Sequence, residues 1–288
     1  MVFFHPMTPE LLVNEHCSTG ENPLWDEQRH LLYWCDIPAG KIFALDLKTG
    51  QHKTIYNDAE CGAFLLQSDG SLLLLRTGEA IRLDPDTGEI TPLKTGLVHG
   101  TGRFNDCIAD PKGRVFSGTV DWSGAMKGAL FGLDTNWNVT KIFEGTACSN
   151  GMAFTPDRKG LYWSDTTAKV VSLFDYDEAS GTLSNRRPWL ETTDVSPDGL
   201  TIDAAGQLWI AFYDGGFLRH YDSEAKLIME VDIPAKNVTA CIFGGENLDE
   251  LFVTTAGGKP ESESLDGALF RLRPAIGGRP EYRSRLGL

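Results

Sequence analysis

Basic residues are in short supply: 26 Lys and Arg stand against 40 Asp and Glu, a formal net charge of −14 at pH 7. Nucleic-acid binding needs a Lys/Arg footprint to displace counterions, and no basic run offers one. Anionic membrane surfaces are disfavoured for the same reason. Long apolar runs are missing too; nothing approaches the ~20 residues that cross a bilayer. The start, MVFFHPMTPELL, has only a short apolar run before His5 and no basic segment, so it does not read as a secretory signal. Cysteine is scattered (Cys17, Cys35, Cys61, Cys107, Cys148, Cys241) without CxxC spacing, which favours buried reduced thiols in a cytoplasmic protein over a disulfide framework. There is no G-x-S-x-G elbow for a serine hydrolase. A 3.6-residue amphipathic pattern of helical length is absent as well, which removes the α/β barrel. Hydrophobic residues at 41% and charged residues at 23% are ordinary globular usage and argue against disorder.

What is present is a repeat. Six β-rich runs, LLYWCDI, SLLLLRT, RVFSGTV, LYWSDTT, LWIAFYD and LFVTTAG, follow one another at intervals of 40 to 47 residues, measured at Trp34, Leu74, Ser117, Trp163, Ile210 and Val253. Each is preceded by a turn-rich segment and followed by a third alternating run, such as KIFALDLKTG or GALFRLR, with a weaker fourth such as HKTIYN. Four short antiparallel strands at this period mark a β-propeller blade. The expected fold is all-β, one six-bladed propeller domain over residues 1–288. Closure should come from Glu10–Val13 pairing as an added strand with the last blade, beside Phe270, because that removes an exposed edge.

First strands of propeller blades line the channel. Ten or eleven residues before Leu32, Val115, Leu161 and Leu208 lie Glu21, Asn105, Asn150 and Asp198. The other two blades put small residues there, Cys61 with Gly62 and Thr239 with Ala240. Asp, Glu and Asn together fill about a sixth of the chain, so four such residues in six aligned positions arise by chance on the order of one time in a hundred. Two carboxylates and two amides converging at a channel end are costly without a cation, and with no His or Cys of ligand spacing they suit a hard or adaptable divalent ion. Arg103 stands two residues before Asn105, and strand alternation sends both side chains toward the channel mouth. A cation's neighbour of like charge needs something anionic or oxygen-rich in between, which points to a substrate clamp. The histidines (5, 16, 30, 52, 99, 220) fall outside the aligned positions and read as surface residues or as neighbours of the site.

The motifs GENPLWD, RFNDCIADPKGRVFSGT, SNGMAF, SNRR, PDGLTIDAAGQLW and CIFGG resemble those of the senescence marker protein / gluconolactonase / luciferin-regenerating enzyme family, in register along essentially the whole chain. The resemblance implies a six-bladed propeller with one catalytic divalent cation, Ca²⁺ ahead of Mn²⁺, Mg²⁺, Zn²⁺ or Fe²⁺, and hydrolysis of sugar lactones. It implies Glu21, Asn150 and Asp198 as metal ligands, Asn105 as a further ligand or substrate contact, and Arg103 as a substrate contact. One position departs: GTVDWSGAM puts Trp122 and Ser123 where animal members carry an acidic pair, with Asp121 just before, so Asp121 becomes the candidate substrate contact there. Trp122 would either stack on a sugar ring or anchor its loop.

The reaction expected is hydrolysis of an aldono-lactone to the open acid, with the cation as Lewis acid and Asp198 as general base at a solvent-accessible mouth. The partner is a small sugar lactone, and the chain is a monomer or weak homodimer. Two other readings stay open on this scaffold: a metal-dependent esterase or phosphotriesterase, and a non-catalytic calcium-binding propeller.

Overall fold

The computed structural model describes residues 7–98 and 102–288. His5 and His99, read above as surface residues or neighbours of the site, lie outside them. Six four-stranded antiparallel sheets follow the six repeats. Blades 1 to 5 cover residues 20–57, 63–95, 104–146, 149–191 and 196–232, each laid out in chain order. Blade 6 takes its first three strands from residues 237–272 and its fourth from Glu10–Asn14, which pairs with Ala268–Leu272 through Leu11 opposite Phe270. The expected closure is therefore present, and it joins the two ends of the repeat.

The first strand of each blade is innermost: Gly20–Asp26, Ala63–Leu66, Phe104–Ala109, Ser149–Phe154, Ser196–Ile202 and Asn237–Gly244 pack side by side in a closed ring around the channel. The apolar core is divided among the seams between blades. Tyr33 and Ile42 of blade 1 meet Phe64 and Leu74 of blade 2, and Trp25 and Trp34 meet Phe252 and Leu269 of blade 6. Alternation along each strand feeds one seam with odd and the other with even positions. All six cysteines are buried and free. Burial pushes the Cys61 thiol up to about 12, which leaves it inert.

Residues after Arg273 leave the repeat and cross the end of the channel where the inner strands finish. This strap touches every blade. Gly278 donates to Leu248 of blade 6 and Gly277 accepts from Ala204 of blade 5. Tyr282 packs edge-on against Phe154 of blade 4, and Arg283 pairs with Asp26 of blade 1. Ser284 bonds Leu66 and Ser68 of blade 2, and Arg285 donates to Gly113 of blade 3. One end of the channel is thus closed, and the inner strands begin at the other.

Candidate functional site

Glu21, Asn105, Asn150 and Asp198 all lie at that other end, near the start of four inner strands. Each sits at a β-bulge: pairing with the second strand slips between Glu21 and Leu24, Phe104 and Cys107, Ser149 and Met152, and Pro197 and Leu200. A bulge inserts an unpaired residue and turns its side chain off the regular alternation. In blade 1 the bulge uses Asn22 at a positive φ of 52°. The glycines of SNG and PDG have a different task, close approach. A Cβ on Gly199 would lie 2.5 Å from the Ala240 Cβ, and one on Gly151 would run into the backbone nitrogen of Leu200. Only glycine lets neighbouring inner strands touch there, which holds the four polar side chains within a narrow throat.

The four are brought together. The Asn105 side-chain amide donates to Asn150 Oδ1 at 3.1 Å and to the Ser149 carbonyl at 2.8 Å. Asn150 Nδ2 donates to Thr166 Oγ1, which donates in turn to the Pro197 carbonyl, tying blade 4 to blade 5. Asp198 is only 3% exposed rather than open to solvent as the sequence suggested, because Gly199 draws its strand against blade 6. Among the described residues its buried Oδ1 has no hydrogen-bond partner. Burial first, and then the carboxylates of Glu21 and Asp106, push the Asp198 carboxyl well above the usual range. Burial and Asp106 likewise push Glu21 up to about 8. Two buried acids, both raised and one with an orphaned oxygen, form with the two amides a donor set fitted to a cation. Among the described residues no group of three or more His, Cys, Asp or Glu side chains is arranged to hold a metal. The candidate set is of another kind, with two carboxylates and two amides.

Arg103 bends over this set. Its guanidinium donates to Asn105 Oδ1 at 2.6 Å and to the Phe104 carbonyl, while Nε pairs with Glu60 at 3.1 Å. Asp121 turns inward to its own loop, accepting from the backbone nitrogens of Ser123 at 3.0 Å and Lys127 at 2.8 Å. Bonds from Ser123 and Lys127 hold its carboxyl below the usual range. Trp122 is 71% exposed, and Asp121 rather than Trp122 anchors the loop. His220, by contrast, lies near the closed end, stacked on Trp209 and paired with Asp203.

Two mouth residues had not stood out in the sequence. Glu60 belongs to the connector into blade 2, where nothing repeats. Tyr213 is the last residue of the second strand in blade 5, directly across from Ser196. Comparing the last residue of each second strand, which faces the start of an inner strand, would have found it.

A family model described as the SMP-30/Gluconolactonase/LRE-like region matches residues 19–257. The pentonolactonase XacC of Haloferax volcanii is 39% identical over 298 residues, covering 98% of this chain and all of that protein. Human regucalcin is 34% identical over 89% of each chain. The solved structure of a luciferin-regenerating enzyme superposes with a TM-score of 0.89 at 26% identity, covering 97% of this chain and 100% of that one.

Proposed function

Since the chain belongs to the SMP-30/gluconolactonase/LRE-like family, we propose that it is a divalent-cation-dependent lactonase that opens a sugar lactone to its aldonic acid. Likeness to a pentonolactonase along 98% of the chain supports the reaction class. The observation that carries the reading at the level of residues is the orphaned, buried Oδ1 of Asp198 amid Glu21, Asn105 and Asn150. These four would hold the cation. When bound, it would offset the two carboxylates, keep Asp198 ionised and polarise the lactone carbonyl.

The chain's own groups do the rest. Asp198 accepts at Oδ1 the proton of a water that adds to the lactone carbonyl carbon. The ring C–O bond then breaks, and the proton passes to the departing ring oxygen, which remains tethered in the product. A lactone is an activated ester, so no covalent nucleophile is required. Arg103, whose donors now point to Asn105 and Glu60, turns its fork to the ring hydroxyls as substrate enters, and Asn105 orients them from below. Asp121 acts on substrate through the loop it folds, which presents Trp122 to the sugar's apolar face.

The test is turnover of glucono-, galactono-, xylono- and arabinono-lactones by the chelator-stripped chain after addition of Ca²⁺, Mn²⁺, Mg²⁺, Zn²⁺ or Fe²⁺. Metal-restored opening of at least one sugar lactone is expected. Cation binding with no turnover would favour a binding propeller, and turnover of apolar esters or phosphotriesters alone would favour the esterase reading.

A further inference from the structure

The mouth is unevenly furnished. Blades 1, 3, 4 and 5 each supply one of the four donor side chains, whereas blades 2 and 6 present Cys61 with Gly62 and Thr239 with Ala240. The space beside blade 2 is taken by Arg103: a Cβ on Gly62 would run into its guanidinium. Three blades further round the ring, beside blade 6, stands Tyr213. In its strand Trp209 and Ala211 belong to the cluster shared with blade 6, and alternation sends Tyr213 to the same side. It lies one residue beyond the buried Phe212, at the rim, and is 37% exposed. Its phenol lies in the field of Asp198 and Glu21 on the channel side and of Asp214 and Lys236 on the outside. Asp214 and Lys236 pair with each other at 2.9 Å.

We propose that Tyr213 is a substrate-contacting, specificity-determining residue, whose hydroxyl reads a ring hydroxyl of the sugar on the side of the mouth opposite Arg103. This rests on the lactonase reading. The chemistry is a division of labour. Arg103 is donor only, and the acids below are acceptors, whereas a phenol both donates and accepts. It can therefore follow a sugar hydroxyl whichever way that hydroxyl points, while its ring edge excludes water from one side. A ligand seated between Arg103 and Tyr213 is gripped across the full width of the throat with its carbonyl end over Asp198. A lactone lacking hydroxyls gains nothing from Tyr213, so the residue selects polyhydroxylated lactones over simple ones.

The experiment compares the wild-type chain with Tyr213→Phe on a sugar lactone that the wild type opens and on δ-valerolactone, with Ca²⁺ present. One neutral hydrogen bond lost predicts about a three- to tenfold fall in kcat/KM for the sugar lactone, carried by KM, and no fall for δ-valerolactone. Gluconate binding, measured by calorimetry, should weaken by the same factor, while Ca²⁺ affinity and the melting temperature stay unchanged. Equal losses on both lactones, or none on either, would overturn the assignment. If the wild type opened no lactone at all, the lactonase reading would fail by itself. Tyr213 would then be judged by gluconate alone, and unaltered or absent binding would end the proposal.

Discussion

Blade 5 carries an aspartate near each end of its inner strand, and the two live under opposite conditions. Asp203, just past the strand at the closed end, is fully satisfied. Its Oδ1 accepts from the backbone nitrogens of Ala205 and Gln207, each at 2.9 Å, and Oδ2 meets His220 at 3.0 Å. Asp26 and Asp110 end their inner strands in the same way, bonded to the turn that follows and to Arg29 or Arg114. Asp198, at the mouth, is as deeply buried but has an oxygen without partner among the described residues and lies in the field of a second acid, Glu21. The same residue type, on the same strand, is a structural fastening at one end and an unresolved charge at the other. A fold tolerates such a group where function needs it, because the remaining structure over-determines the position.

The contrast is broken or sharpened first by exchanging charge for amide at the mouth. Asp198→Asn should lower lactone turnover about 10²–10⁴-fold, because an amide cannot take the proton from water. Its oxygen still ligates, so cation affinity should fall only in part. In cation-free buffer the variant should melt no lower than wild type, since an amide carries neither the burial cost nor the repulsion that raises the carboxyl. Near-normal turnover at saturating metal would reduce Asp198 to a ligand. Asp203→Ala should do the reverse. Removing one partner of the buried pair with His220, along with two turn bonds, costs about 3 kcal/mol in denaturant unfolding. The turnover of the still-folded fraction should remain near wild type. If both variants lost turnover and stability alike, the two ends would not differ in kind.

The repeat made much of this readable in advance. The second-strand runs around Trp34, Ser117 and Val253 are the second strands of blades 1, 3 and 6, and the positions counted back to Glu21, Asn105, Asn150 and Asp198 lie at one end of the ring. The spacing signal worked because each blade must return to the channel at the same place. It did not reveal the burial of Asp198, which depends on Gly199 meeting Ala240 in a neighbouring blade. Nor did it show that the Asp121 oxygens bond their own loop, since a carboxylate reads the same whether it faces ligand or backbone. The strap from Gly277 to Arg285 was invisible for another reason. GGRPEYRSRLGL has neither strand alternation nor a place in the repeat, and its contacts are scattered, with backbone bonds to four blades, an ion pair to a fifth and ring packing on the sixth.

A milder test separates holding the cation from doing the chemistry. Asn150 is neutral, and its amide links blades 3 and 5 through Asn105 and Thr166. Asn150→Ala should weaken cation binding about tenfold, a loss of one good oxygen contact. Its turnover should recover in large part as cation is added in excess. A turnover defect that persisted at saturating cation would place Asn150 with Asp198 in the chemistry and blur the distinction drawn above.

Between the two ends lies a third acid, and it offers the finest test. Glu281 comes from the strap and lines, with Asn22 and Asp106, a cavity of about 60 Å³ in the middle of the channel. Burial first, and the Asp106 charge second, push its carboxyl up to about 7 from 4.5. The folded chain therefore holds this proton more tightly than the unfolded chain does. Stability from this group is present below about pH 4.5, is lost as pH rises toward about 7, and stays lost above. Glu281→Gln keeps the size and the neutral form, so it should remove that loss. After discounting for the water the cavity admits, the gain at pH 8 should be roughly 1–2 kcal/mol, with none at pH 4.5. Unfolding midpoints of the two proteins at both pH values check it. A pH-independent difference would mean that Glu281 is held by packing rather than charge, and that the strap end of the channel contains no strained acid at all.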